Sequence, residues 1–317
     1  MGILLQQRGR FDIALAKYEE SLKIAHARKD ESLLATLQHD IGRVYAERTE
    51  YDEALTRYEN SLRISGGMKA HSLVAKTLHH IGIVYQNRGV HEAALAMYER
   101  SFKLLEQLGD LPNMGASLQS IGIVHQARKE YEAAMEKYEA ARELFEKFGH
   151  RRNIAITLHQ MGELCVERKD YKTALAKLEE SLKIKEELGD RAGTARSLST
   201  IGAVLIEEEK YQQAFEQLMV ALLSLITLRA GGLEPAMQNL CVLRSRWGAR
   251  KFDKAWKEKT GEDFTGLPNK RHAKIEQTKK AVKPAKAKIK KKAKKPTITK
   301  KSRTPKKTTK TKKKKKK

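Results

Sequence analysis

The sequence predicts an all-α fold, a right-handed α-solenoid of helix-turn-helix units, and three observations carry that expectation. Six prolines and seven phenylalanines accompany a charged fraction of 32%, which suits long helices with wet outer faces better than a β-rich core. Glycine recurs every 40 residues, at Gly2, Gly42, Gly82, Gly122, Gly162 and Gly202, each preceded by Met or Ile. Around each glycine the apolar residues fall at helical spacing.

The first helix of a unit is marked by Val74, Leu78, Ile81, Val84 and Tyr85, one apolar stripe. A short break such as Arg88-Gly89 closes it. The second helix carries its own stripe, as in Ala54, Leu55, Tyr58, Ser61 and Leu62. Between units stand Gly109-Asp110 and Gly189-Asp190, where glycine suits a helix C-terminus and aspartate the next N-cap. Three columns repeat in the second helices: Ala14, Ala54, Ala94, Ala134, Ala174 and Ala214; Tyr18, Tyr58, Tyr98, Tyr138, Leu178 and Leu218; and Ser21, Ser61, Ser101, Ala141, Ser181 and Ala221. Small residues at fixed places let helices approach closely. The expectation is that each glycine faces the alanine of its own unit, with the tyrosine or leucine filling the gap to the next one.

The order Leu78, Ile81-Gly82, Tyr85, Ala94, Tyr98, Ser101 resembles the tetratricopeptide signature. A 40-residue period implies longer helices than the usual 34, as in the subgroup resembling the kinesin light chain repeats. Gln38 stands where later units have leucine, with Leu37 one residue early, so the start of that helix is expected to be rotated or less buried. His125, Cys165 and Leu205 replace the tyrosine of Tyr45 and Tyr85.

The organisation expected is six hairpins over 1–230, a degenerate capping hairpin over 231–262 and a disordered lysine-rich tail over 263–317. The chain starts halfway along the first helix of its first unit, which points to a shortened chain or to self-association through that uncapped hairpin. Trp247 and Trp256 are expected to cover the last apolar face rather than bind a ligand.

Little in the sequence supports catalysis, a cofactor or a metal. His91-Glu92-Ala93-Ala94-Leu95 lacks the second histidine of a zinc-protease helix, and no phosphate-binding glycine loop occurs. His39, His79 and His159 share one phase of the repeat, and helices about 10 Å apart would hold them too far from one another to share a metal. Cys165 and Cys241 are the only cysteines and read as reduced, intracellular thiols. No apolar run reaches a bilayer-spanning length of about 20 residues, so a cytoplasmic protein is expected, with nucleus or nucleoid open through the basic tail.

In tetratricopeptide arrays the first helices line the concave face. The resemblance therefore implies a groove for a peptide or helix lined by His39, Arg43 and Glu47, then His79, Ile83, Gln86 and Asn87, then Gln119, Ile123 and Gln126, then His159 and Glu163. Charge divides the chain differently. From Lys270 to Lys317 there are 25 Lys or Arg and one acid, so this stretch holds +24 of the net +25. Its Lys/Ala/Pro/Thr mixture is similar to linker-histone tails, and Lys283, Lys286, Lys288, Lys290, Lys291, Lys292, Lys294, Lys295, Lys306 and Lys307 are candidate contacts to a polyanion. Two functions follow: a protein-binding scaffold tethered by its tail, or a nucleic-acid-associated protein whose tail binds DNA or RNA while the array only oligomerises.

Overall fold

The computed structural model describes residues 10–228 and 231–264. The lysine column of the tail and residues 1–9 lie outside them. Thirteen α-helices follow one another among the described residues: α1 (Phe11–Arg28), α2 (Glu31–Glu47), α3 (Tyr51–Gly67), α4 (His71–Asn87), α5 (His91–Leu108), α6 (Leu111–Ala127), α7 (Tyr131–Lys147), α8 (Arg151–Glu167), α9 (Tyr171–Glu187), α10 (Arg191–Glu207), α11 (Tyr211–Leu228), α12 (Leu233–Trp247) and α13 (Ala249–Thr260). The fold is a solenoid of helical hairpins. Packing is closest within α2–α3, α4–α5, α6–α7, α8–α9 and α10–α11, each pair then leaning on the next, while the first helices of successive hairpins also approach one another.

Local chemistry sets the boundaries. Asp30, Asp110, Asp170 and Asp190 each accept a backbone N–H three residues on, at Leu33, Asn113, Thr173 and Gly193, so aspartate caps the helix that follows it. Left-handed backbone ends the preceding helix, taken by Gly89 (φ 73°) and Gly109 (φ 66°) but also by Thr49 (φ 64°) and Lys129 (φ 61°).

The expected glycine–alanine contact is corrected by the structure. The residue that lies over each glycine is the tyrosine or leucine of the same hairpin. A methyl group at Gly42, Gly82 or Gly122 would sit 2.7, 2.6 or 2.7 Å from the Tyr58, Tyr98 or Tyr138 ring, and Leu178 and Leu218 lie as close to Gly162 and Gly202. Ring and glycine form one interlock per hairpin. The serine column adds another, since Ser61, Ser101 and Ser181 donate to the carbonyls of Ala35, Ala75 and Ala155 at 2.9, 2.8 and 2.6 Å. Rotation of α2 is also absent: Ile41, Gly42 and Val44 are buried like Ile81, Gly82 and Val84, Leu37 is buried where Thr77 is, and only Gln38 is less covered than Leu78.

Burial is shared between neighbours rather than gathered in one centre. Ala54 and Tyr58 of α3 pack with Ile81 and Val84 of α4, and Ala94, Leu95 and Tyr98 of α5 with Ile121 and Val124 of α6. After α11, Trp247 lies against Phe215, and Phe252 packs between Phe215, Trp256 and Phe264. None of the helices among the described residues is long and apolar enough to cross a membrane.

Candidate partner-binding face

Helical periodicity separates what the first helices bury from what they present. On α4 the buried positions are Ala75, Thr77, Leu78, Ile81, Gly82 and Val84. The remaining stripe, at i, i+4, i+7 and i+11, is Lys76, His80, Ile83 and Asn87. Stepping by 40 gives Thr36, Asp40, Arg43 and Glu47 on α2; Ala116, Ser120, Ile123 and Ala127 on α6; Ile156, Gln160, Glu163 and Glu167 on α8; and Arg196, Thr200, Ala203 and Glu207 on α10, each at least partly exposed. This is one continuous strip across five helices. Its start is basic at Lys76 and Arg196, its end acidic at Glu47, Glu167 and Glu207, and its middle small and apolar on α6.

Bonds between residue n of one first helix and n+41 of the next tie the strip together. Gln119 donates to Gln160 at 2.6 Å, Gln126 to Glu167 at 2.6 Å, and the His39 and His80 rings meet edge to face with centroids 4.9 Å apart. The partner of His39 across the junction is His80 rather than His79 of its own repeat phase, a residue the periodicity argument passed over. Tyr98 and Tyr138 donate their hydroxyls to Gln86 and Gln126 at 2.8 Å, and burial raises the pKa of both phenols. These glutamines thus hold the interlock rings from the strip side.

Of the sequence-derived residues, Arg43, Glu47, Ile83, Asn87, Ile123 and Glu163 fall on the strip. Arg43 lies 3.7 Å from Asp40, and Glu163 lies 3.3 Å from the His159 Nε2. His39, His79, Gln119 and His159 stand one residue earlier and turn toward the next hairpin. His39 is buried, 7% exposed, with Nδ1 3.0 Å from the Thr77 hydroxyl. His159 Nδ1 lies 3.3 Å from Ser197, whose hydroxyl accepts from the Lys185 ammonium at 2.9 Å. Desolvation lowers Lys185 to about 8. Desolvation likewise lowers His39 and His79 to about 4 and His80, which also faces His39, His79 and Arg43, to about 2. The His39, His79 and His80 imidazoles are therefore neutral at pH 7. Sequence reasoning missed the rest of the strip, among it the charged Lys76, Arg196, Glu167 and Glu207 and the inner row Asp40, His80, Ser120 and Gln160. Their signal was the i, i+4, i+7 spacing from Arg43, Ile83, Ile123 and Glu163.

No group of three His, Cys, Asp or Glu side chains able to hold a metal ion occurs among the described residues. Cys165 is buried, which pushes its thiol pKa up, away from a reactive thiolate.

The family profile of the tetratricopeptide repeat matches residues 1–65, 73–147 and 153–222. Among curated proteins none matches. Among solved structures, BtubC (BKLC) from P. vanneervenii is similar, 17% identical over 69% of this chain and 92% of that one, with a TM-score of 0.61. A putative kinesin light chain from Podosopora anserina with nearly identical repeats is 17% identical over 61% of this chain and 96% of that one, TM-score 0.50. A Rap protein complexed with Competence and Sporulation Factor is 15% identical over 80% and 74%, TM-score 0.57. At these identities the likeness is one of fold.

Proposed function

The chain belongs to the tetratricopeptide repeat family, and from that premise we propose that it is a non-enzymatic scaffold whose first-helix strip holds a peptide or helix of a protein partner. One observation carries this: the strip stays accessible at constant helical register across five first helices, with basic residues at its start (Lys76, Arg196), acidic ones at its end (Glu47, Glu167, Glu207) and a small apolar stretch on α6. A ribbon of that kind suits an extended segment, with Ile83 and Ile123 giving apolar contact and the two charged edges fixing its direction. The fold relative complexed with Competence and Sporulation Factor supports the reading, since a solenoid of this kind accommodates a bound factor there. Arg43, Glu47, Asn87 and Glu163 are assigned to partner contact, with His39, His79, Gln119 and His159 positioning the wall behind them. Residues 231–262 act as the cap of the array. The tail, through Lys283 to Lys307, tethers the complex to a polyanion by charge alone, with binding that weakens steeply as salt rises.

The test is capture from nuclease-treated lysate by the full chain, by residues 1–269 and by the full-length Ile83→Arg/Ile123→Arg variant. Retention of the same discrete proteins by the first two and their loss from the third is the expected pattern. Capture that survives the double substitution but disappears with the tail, and is removed by salt, would replace the scaffold by a polycation whose array only oligomerises.

A further inference from the structure

At four successive junctions between hairpins the wall carries a hydroxyl at one phase of the repeat, Thr77, Ser117, Thr157 and Ser197, all fully buried. Three of the four are satisfied. Thr77 donates to the Leu73 carbonyl at 2.8 Å beside His39, Thr157 donates to the Asn153 carbonyl at 2.9 Å, and Ser197 receives Lys185. Ser117 has no hydrogen-bond partner. What differs is the residue that fills each socket from the second helix. Ser65 occupies it at the first junction, Phe145 at the third, where its ring lies against Gly115, and Lys185 at the fourth. At the second junction Leu105 stands in that place, and a cavity of about 200 Å³ remains, lined by Lys76, His79, His80, Ser101, Leu105, Asn113, Ala116 and Ser117.

A buried hydroxyl left unpaired is costly, and a polar cavity of this size holds more than one water or a small solute. The wall decides which solute. Ser117 offers a free O–H, Lys76 an ammonium at the exposed rim, and His79 and His80 are neutral imidazoles able to donate one N–H each. The Asn113 amide N–H already donates to Asp110 at 2.7 Å. The lining holds one cation and no carboxylate, and Ser117 presents a hydroxyl without a partner. We propose that the cavity between α4, α5 and α6 is a binding site for a small oxyanion, a phosphate or a carboxylate, held by Lys76 and Ser117 with a histidine N–H. The site opens on the strip itself, at Lys76, His80 and Ala116, and its anion chemistry does not depend on which partner the strip holds.

Histidine-resolved NMR of the full chain, titrated with inorganic phosphate and separately with acetate, reads this site apart from the lysine tail. The expected result is a saturable shift of the His79 and His80 ring signals with at least one anion, weakened at least fivefold by Lys76→Gln and by Ser117→Ala. Lys76 is exposed, so the first variant keeps the fold. A control, Leu105→Phe with Ala75→Gly, copies the filled third junction and removes the response. Unmoved histidine signals with both anions, or shifts equal in the wild type and the two single variants, overturn the proposal. Where the anion comes from is read by adding captured partner: displacement of phosphate assigns the site to an acidic group on the partner, and co-occupancy assigns it to a free anion.

Discussion

The repeat glycines differ in what a side chain would meet, and that difference sets their cost. At Gly82 a methyl group would press 2.6 Å from the Tyr98 ring, which is fully buried and bonded through its hydroxyl to Gln86. Gly82→Ala should therefore cost about 1–3 kcal/mol through overpacking. Gly66, inside α3, meets nothing within 4 Å, and Gly66→Ala should stabilise by roughly 0.5–1 kcal/mol through helix propensity. Urea denaturation of the two variants checks both, and equal signs would refute the interlock. Thr49→Gly should also stabilise, because a β-branched residue at φ 64° is strained where glycine is not. The histidines give a pH dependence. His39 titrates near 4 in the fold and near 6.5 in the unfolded chain, chiefly because burial disfavours its charge. At pH 7 both states are neutral and nothing is lost; as pH falls below 6.5 the unfolded chain takes up protons that the fold refuses, so stability drops until about pH 4. His39 alone contributes on the order of 3 kcal/mol to that fall, and His79 and His80 add to it in the same direction, while Asp40, raised by burial, works against it. Substituting Gln for all three histidines, as Gln119 and Gln160 stand two junctions on, should flatten the profile between pH 7 and 5.

Elements are held in register by contacts that repeat with the sequence. Asp12, Asp52, Glu92 and Glu132, each in the first turn of a second helix, pair with Arg48, Arg88, Arg128 and Arg168 after the next first helix, the first and third pairs at 2.8 Å and the last at 3.4 Å. The acids are largely exposed, so each pair should contribute under about 1 kcal/mol. A double-mutant cycle on Asp52 and Arg88 should give a coupling in that range that fades in 1 M salt; a coupling of several kcal/mol would mean the pair does more than fix register. In the fifth copy the types exchange to Lys172 and Glu208, and Glu208 pairs with Lys210 instead. The helices and their order were legible in the sequence because glycine, alanine and tyrosine recur without drift. Which side chain met which glycine was not, because a 3.6-residue period fixes a face while the partner across it depends on how two helices are staggered. The same limit placed His39 in the groove and left His80 out: one residue is 100° of helix, enough to turn a ring from the strip into the junction. The empty socket at Leu105 was beyond sequence reasoning, since it follows from how Leu105, His79, His80 and Ser117 are set around one space and not from the size of any one of them.

For the whole molecule, stability is largely a chain of nearest-neighbour terms: the clusters of the early hairpins are shared by consecutive helices, while one larger cluster runs from Cys165 of α8 to Phe252 of α13. Damage at one end should then stay at that end. The C-terminal face of α11 is covered by α12 and by Phe252 of α13, fully buried and edge to face with Phe215 at 5.6 Å and with Phe264 at 4.9 Å. Removing that ring leaves a cavity against Phe215 and frees Trp256, which stacks on it at 6.0 Å, for a loss of about 3–5 kcal/mol. In Phe252→Ala, hydrogen exchange should quicken in α11, α12 and α13 first and leave α2 to α5 close to wild type, since the ring contacts of Phe252 are with Phe215, Trp256 and Phe264 and the buried residues of its cluster begin at α8. A uniform loss of protection along the array would mean that the hairpins unfold as one unit. The terminal helices would then be part of a single cooperative body rather than the cover of its last repeat.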